Sequence, residues 1–159
     1  MVVCVNTTRA WRHKHGEVSA LQTDRVVRLL EDAEATRLRV VVVHQPVAVA
    51  RAEDAPNLLR GYVAALQRWS DTGADLVMGG LIHLPYVMAL PGLARPMWPV
   101  QAGTAITSRI REGVPDSVNL LRCAADSSMG CCLIEQWDFS LAELAFVRAE
   151  VTEVWPARL

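Results

Sequence analysis

The alternation of apolar and polar positions divides the chain into two halves. Val2–Asn6, "VVCVN", is a β-branched run that predicts a strand at the very start of the sequence. After a loop bearing arginine and histidine and closing at Gly16, Ser19 and Gln22 form an S-x-x-Q capping box. Leu21, Val26, Leu29, Leu30 and Ala33 then recur at helical spacing, predicting a helix of about four turns. "LRVVVVHQP", from Leu38, is apolar without interruption. It predicts a central strand covered on both faces and stopped by Pro46. A second helix is expected from Pro56 to Trp69, with Leu58, Leu59, Val63, Leu66 and Trp69 on one side and Arg60 and Arg68 outside. Gly73 ends it, and "ADLVMGG" gives another short buried strand.

The second half changes character. "PYVMAL", "MWPVQAG", "SVNLLRC", "CCLIEQW" and "ELAFVRAEV" are short β-like runs separated by turn residues, and their simplest reading is a series of antiparallel strands. Strands alternating with helices, then strands alone, predict an α/β fold in which helices lie on a mixed sheet. Residues 1–159 read as one domain with no linker, repeat or low-complexity segment.

Composition narrows the function classes. At 52% hydrophobic and 21% charged residues the chain is globular rather than disordered. A formal charge of −1, with no run of like charge, gives no patch for nucleic acid or anionic lipid. No apolar run is long enough to span a bilayer, and "MVVCVNTTRAW" is unlike a secretory leader, so a cytoplasmic location is expected. Cys4, Cys123, Cys131 and Cys132 lack the spacing of a zinc or redox motif and are expected as reduced, mostly buried thiols.

Two histidines carry the candidate chemistry. His44 ends the most buried predicted strand, where open α/β sheets place ligands. His83 follows the next strand on the Gly79-Gly80 turn, so if the two strands are neighbours both imidazoles reach one rim. His13 and His15 in "WRHKHG" read as a solvated basic turn. Asp71, Asp75, Asp116 and Asp126 read as turn or capping residues. "QAGTA", from Gln101, suits a packed turn near a site. The absence of G-x-S-x-G, Walker and H-E-x-x-H motifs removes the common serine hydrolase, NTPase and zinc protease readings.

The ordered segments "CVNTTRAW…HGEVSALQ", "RVVVVHQP", "GADLVMGGLIHLPYV", "VQAGTAITSRIREGVPDSVNLLR" and "IEQWDF" cover nearly the whole chain. Together they resemble the C-terminal half of calcineurin-like metallophosphoesterases, which hydrolyse phosphomonoesters and phosphodiesters with two metal ions. The resemblance implies half of an α/β/β/α sandwich, with His44 and His83 as metal ligands and Gly80, Gln101, Gly103 and Thr104 beside the site. It implies divalent Mn, Fe, Zn or Ni as cofactor and a phosphoester as substrate. The family places a further histidine where this chain has Leu81, which has no lone pair to donate. The family's earlier aspartate-x-histidine, glycine-aspartate and glycine-asparagine-histidine motifs are absent. Two expectations follow: a phosphoester hydrolase lacking its N-terminal half and inactive as this chain, or a catalytically dead interaction or dimerisation module that covers its open face with a second copy.

Overall fold

The structure, a computed structural model, describes residues 1–10, 15–34, 36–106, 111–123 and 130–156. The predicted capping box opens α1 (Ala20–Glu31). The Gln22 backbone N–H donates to Ser19 Oγ at 3.3 Å, and the Ser19 N–H donates to Gln22 Oε1 at 3.1 Å. Thr23, Val26 and Leu30 form its buried stripe. Leu21 and Leu29, expected on that side, are exposed because the helix meets the sheet along only this narrow line.

The second helix departs further from expectation. Pro56 belongs to a short 3-10 helix over Ala52–Asn57, and α2 spans only Tyr62–Asp71. Gly61 forces the late start, with a left-handed φ of 79° and its Cα so near Val18 that a Cβ would lie 2.6 Å from that carbonyl oxygen. Leu66 and Trp69 are buried as expected, Leu58 is half-buried, and Val63 is exposed.

Five strands form the first sheet: β1 (Val2–Cys4), β2 (Val40–Val42), β3 (Leu76–Gly79), β4 (Tyr86–Val87) and β5 (Trp98–Gln101). Their order is β1-β2-β3-β5-β4, parallel except for the antiparallel edge pair β4-β5. The expected antiparallel pairing holds for "PYVMAL" against "MWPVQAG", but β5 also lies beside β3 in parallel register, Val77 opposite Pro99. A separate antiparallel sheet follows in the order β6 (Ser117–Cys123), β7 (Cys132–Ser140) and β8 (Ala145–Val154).

Pleating sorts the side chains into two cores. Val41 and Val77 join Val26 and Leu30 of α1 and Leu66 and Trp69 of α2. Val40, Leu76 and Val100 point the other way, against Cys132, Ile134 and Val154 of the second sheet. The result is three layers: helices, mixed sheet and antiparallel sheet. That is why the valine run carries no polar alternation. Among the described residues, no helix is long and apolar enough to cross a membrane.

Buried polar groups tie the strand ends. Asp75, expected in a turn, is buried before β3, where its Oδ2 accepts the Arg39 N–H at 2.8 Å. Burial pushes its carboxyl above the usual range, against the opposing pull of the Arg39 N–H, Arg95 and Arg39. Asp71 ends α2, and the carbonyl of Asp116 accepts the Phe139 N–H at 2.7 Å; Asp126 lies outside the described residues.

The cysteines correct another expectation. Cys123 and Cys132 face each other across β6 and β7, Cα atoms 4.3 Å apart, and form a disulfide. Cys4, exposed, and Cys131, half-buried, remain free. A separation of nine residues showed nothing of this pairing, because strand register made it. Denatured, unreduced protein should titrate for two thiols and reduced protein for four; four in both would remove the bond. Such bonds persist in oxidising surroundings, so the count also bears on where the chain works.

On β7, Glu135 accepts the Trp137 indole N–H at 2.9 Å and the Nε–H of Arg122 at 3.0 Å, with an Arg148 amino group 3.8 Å away. The Trp137 hydrogen bond and the two guanidiniums outweigh the opposing effect of burial and hold this carboxyl below its ordinary value of 4.5. Its folded value is thus lower than its unfolded one. The stability it contributes is complete above the ordinary value and disappears as pH falls through the lowered one. Denaturation midpoints measured against pH should show Glu135→Gln with a flatter acid limb than the parent.

Candidate functional site

The parallel strands end on one rim. Asn6 and Thr7 follow β1, His44 and Gln45 follow β2, Gly80 to His83 follow β3, and Ala102 to Thr104 follow β5. Pairing extends past the strands: Val43 N–H reaches the Met78 carbonyl at 2.9 Å, and Gly80 N–H reaches that of His44 at 3.0 Å. His44 and His83 thus follow neighbouring parallel strands, the condition under which both were expected at one rim. His44 is exposed and His83 half-buried.

Buried side chains shape the rim from beneath. Fully buried Thr7 donates its hydroxyl proton to Gln45 Oε1 at 2.6 Å and accepts the His44 N–H at 3.3 Å. Gly16 is needed above this pair, since a Cβ there would strike the Gln45 amide. On the β3 side, Gln101 is buried at the end of β5 and its side-chain amide donates to the Gly80 carbonyl.

The loop after β3 holds an unusual backbone. Ile82 N–H donates to the Gly80 carbonyl at 2.9 Å across Leu81, whose φ is 73°, the geometry of a strained γ-turn. His83 follows with φ at 55°. Left-handed geometry costs an ordinary residue about 1–2 kcal/mol, so two such residues require restraint. Gln101 supplies it at Gly80. Arg111 supplies it at Ile82, donating to that carbonyl at 3.3 Å while bridging Asp54 at 2.8 Å and Glu53 at 2.6 Å. Tyr86 adds a further anchor: its hydroxyl donates to the Ala48 carbonyl at 2.5 Å, and burial together with nearby Asp54 keeps it protonated far above its ordinary range.

Several expectations shift in detail. Gly80, expected beside the site, is not tightly packed: a Cβ there would meet only the His44 carbonyl at an ordinary 3.7 Å. Gly79 is the tight position: a Cβ there would lie 2.7 Å from Gln101 Oε1 and 3.0 Å from the Gln45 carbonyl oxygen. Gly103 and Thr104 join the two sheets: a Cβ on Gly103 would strike Ser117 Oγ, and the Thr104 carbonyl accepts the Ser117 N–H at 2.7 Å. His15 is exposed, and His13 lies outside the described residues. Sequence reading missed the Arg111–Asp54–Glu53 clamp. Its members lie 57 and 58 residues apart in no motif, so only their convergence reveals it.

His44 and His83 can each offer one imidazole nitrogen to a cation. Among the described residues no group of three or more His, Cys, Asp or Glu converges to hold a metal ion. Leu81 contributes none. The residues present therefore do not fit a complete two-metal centre, which needs ions about 3.5–4 Å apart with bridging and terminal ligands.

No family model matches this chain, nor does any curated protein. Three crystal structures of Vps29 from Entamoeba histolytica are similar to it, each aligned over 96% of this chain and 98% of the other. A single mutant has 13% identity and a TM-score of 0.42; the wild type complexed with Zn2+ has 12% and 0.39; a double mutant has 14% and 0.40. These are distant likenesses of chain path, and the functional reading rests on this chain's own side chains.

Gln101→Leu should remove one of the two donors to the Gly80 carbonyl and lower stability by about 1–3 kcal/mol. Hydrogen exchange at the Ile82 amide should speed up by more than global destabilisation explains. An unchanged Ile82 exchange rate would show that Gln101 does not restrain the turn.

Proposed function

We propose that this chain is built on the scaffold of a metal-dependent phosphoester hydrolase, and that by itself it binds a divalent cation at His44 and His83 without turning over a phosphoester. The supporting observation is the rim itself: two imidazoles at adjacent strand ends, with Leu81 where a further lone pair is required. Catalytic zinc ordinarily keeps three protein ligands and one open position. Two nitrogens fall short of that set. Water fills the remaining coordination sites, and affinity is correspondingly low. Mn, Fe, Zn and Ni all accept imidazole, with geometry deciding among them. Hydrolysis of a phosphomonoester or phosphodiester then requires carboxylates from an N-terminal portion or a partner chain.

A second reading, an interaction or dimerisation module, is favoured by the outer face of the β6-β7-β8 sheet, where Val118, Leu120 and Val151 are exposed.

Calorimetric titration with Zn2+ or Mn2+ separates the outcomes. Weak binding should disappear in His44→Ala and in His83→Ala, and Leu81→His should tighten it at least about tenfold, near 1.4 kcal/mol. Bis(p-nitrophenyl) phosphate with Mn2+ should be hydrolysed at the background rate. Turnover that survives His83→Ala, or cation binding indifferent to all three substitutions, would overturn the assignment.

A further inference from the structure

We propose that the outer face of the antiparallel sheet is a self-association surface on which a second copy of this chain packs sheet against sheet. This reading is independent of the imidazole rim, which lies at strand ends of the other sheet. Pleating assigns the face. Leu121, Cys123, Cys132, Ile134 and Val154 turn inward against the first sheet, so the alternate residues turn outward.

Register arranges those outward residues in rows across β6, β7 and β8. Arg122, Leu133 and Glu153 form one row; Leu120, Glu135 and Val151 form the next. Val118, Trp137 and Arg148 form the third, and Phe139 pairs with Phe146 beyond it. Phe139 and Phe146 meet edge to face, ring centroids 5.5 Å apart. Seven of these side chains are apolar, on a face where alternation ordinarily puts polar ones. Val118, Leu120 and Val151 are 38%, 41% and 45% exposed. Glu135 is buried even on this outer side, roofed by Trp137, Arg122 and Arg148.

The charges select the occupant. Two arginines and two glutamates balance, so the face has no pull toward a strongly acidic or basic partner. Glu135 is already neutralised within its own sheet. Glu153 makes no ion pair among the described residues, and stands across Leu133 from Arg122. A two-fold axis running along β7 exchanges the β6 and β8 columns while keeping each row. It sets Arg122 opposite the Glu153 of the second copy, and Glu153 opposite its Arg122. Arg122 spends only Nε on Glu135, leaving its terminal amino groups for the second carboxylate. The same operation places Leu120 over Val151, Trp137 over Trp137 and Val118 over Arg148, and sets Glu135, which is paired with its own arginines, over its copy. An isologous contact requires this self-complementarity, and the side chains of two such sheets about 10 Å apart would then interdigitate as in a sandwich.

Size sets the strength. Three strands about 4.8 Å apart and four rows of side chains cover roughly 350 Å2 in plan on each copy. That is below the roughly 800 Å2 per partner of a standard stable interface. The dimer is therefore weak and concentration-dependent.

Sedimentation velocity of the 159-residue chain across a hundredfold concentration range tests this. The dimer fraction should rise with concentration, and Leu120→Asp with Val151→Asp should abolish it. Arg122→Glu or Glu153→Arg alone should raise the dissociation constant about tenfold, through loss and reversal of two reciprocal exposed pairs. The combined charge swap should restore association, a result that general unfolding cannot produce. Three outcomes overturn the proposal: a monomer at every concentration, a dimer indifferent to the aspartate substitutions, or a charge swap that fails to rescue.

Discussion

Everything in this molecule depends on the burial of β2 and β3 from both sides. Val41 and Val77 are completely withdrawn from water beneath the helices, and Leu76 and Val100 equally so beneath the second sheet. Neither covering layer is large. α1 and α2 offer only a few buried side chains each, and the antiparallel sheet offers one face. Their common contact is the valine-rich centre, so each layer is held by what the other side of the same strands requires. Parallel strands exist here because both faces are covered.

That arrangement also decides where chemistry can occur. The strand bodies are sealed, and parallel order brings their C-terminal ends to one rim. Polar side chains there hold backbone: Thr7 accepts the His44 N–H, Gln101 donates to the Gly80 carbonyl and Arg111 to that of Ile82. The consequence is a rigid support beneath exposed His44 and half-buried His83. Two left-handed residues, Leu81 and His83, are kept in place by that support. Among the described residues no group of three or more His, Cys, Asp or Glu converges on this rim.

The second sheet shows the opposite imbalance. Its inner face is satisfied, while its outer face carries aromatic and branched residues together with a carboxylate roofed by its own arginines. A side chain on an exposed β-sheet face ordinarily needs only to tolerate water. Here Glu135 has been removed from water by neighbours that are themselves partly exposed, which leaves the face neutral at its centre and charged at its margin.

How much of this was legible depends on how local each cause is. The Ser19 cap, the buried strand before His44, the Gly73 stop and the short run after it follow from neighbouring residues, and they were readable. That His44 and His83 follow neighbouring strands rested on strand order, which the sequence left open. The exposure of Leu21 and Val63, the late start of α2 at Gly61 and the parallel return of β5 were not readable, since each answers to a layer distant in sequence. The Cys123–Cys132 bond needed strand register, and the Arg111 clamp needed residues 57 and 58 positions apart. The sequence by itself determined which segments are strand or helix and which side chains could donate to a cation, because periodicity, caps and lone pairs are properties of a few adjacent residues. Only the tertiary structure decided which faces are covered, which cysteines meet and what restrains the turn at Leu81, because burial and contact are properties of the packed whole.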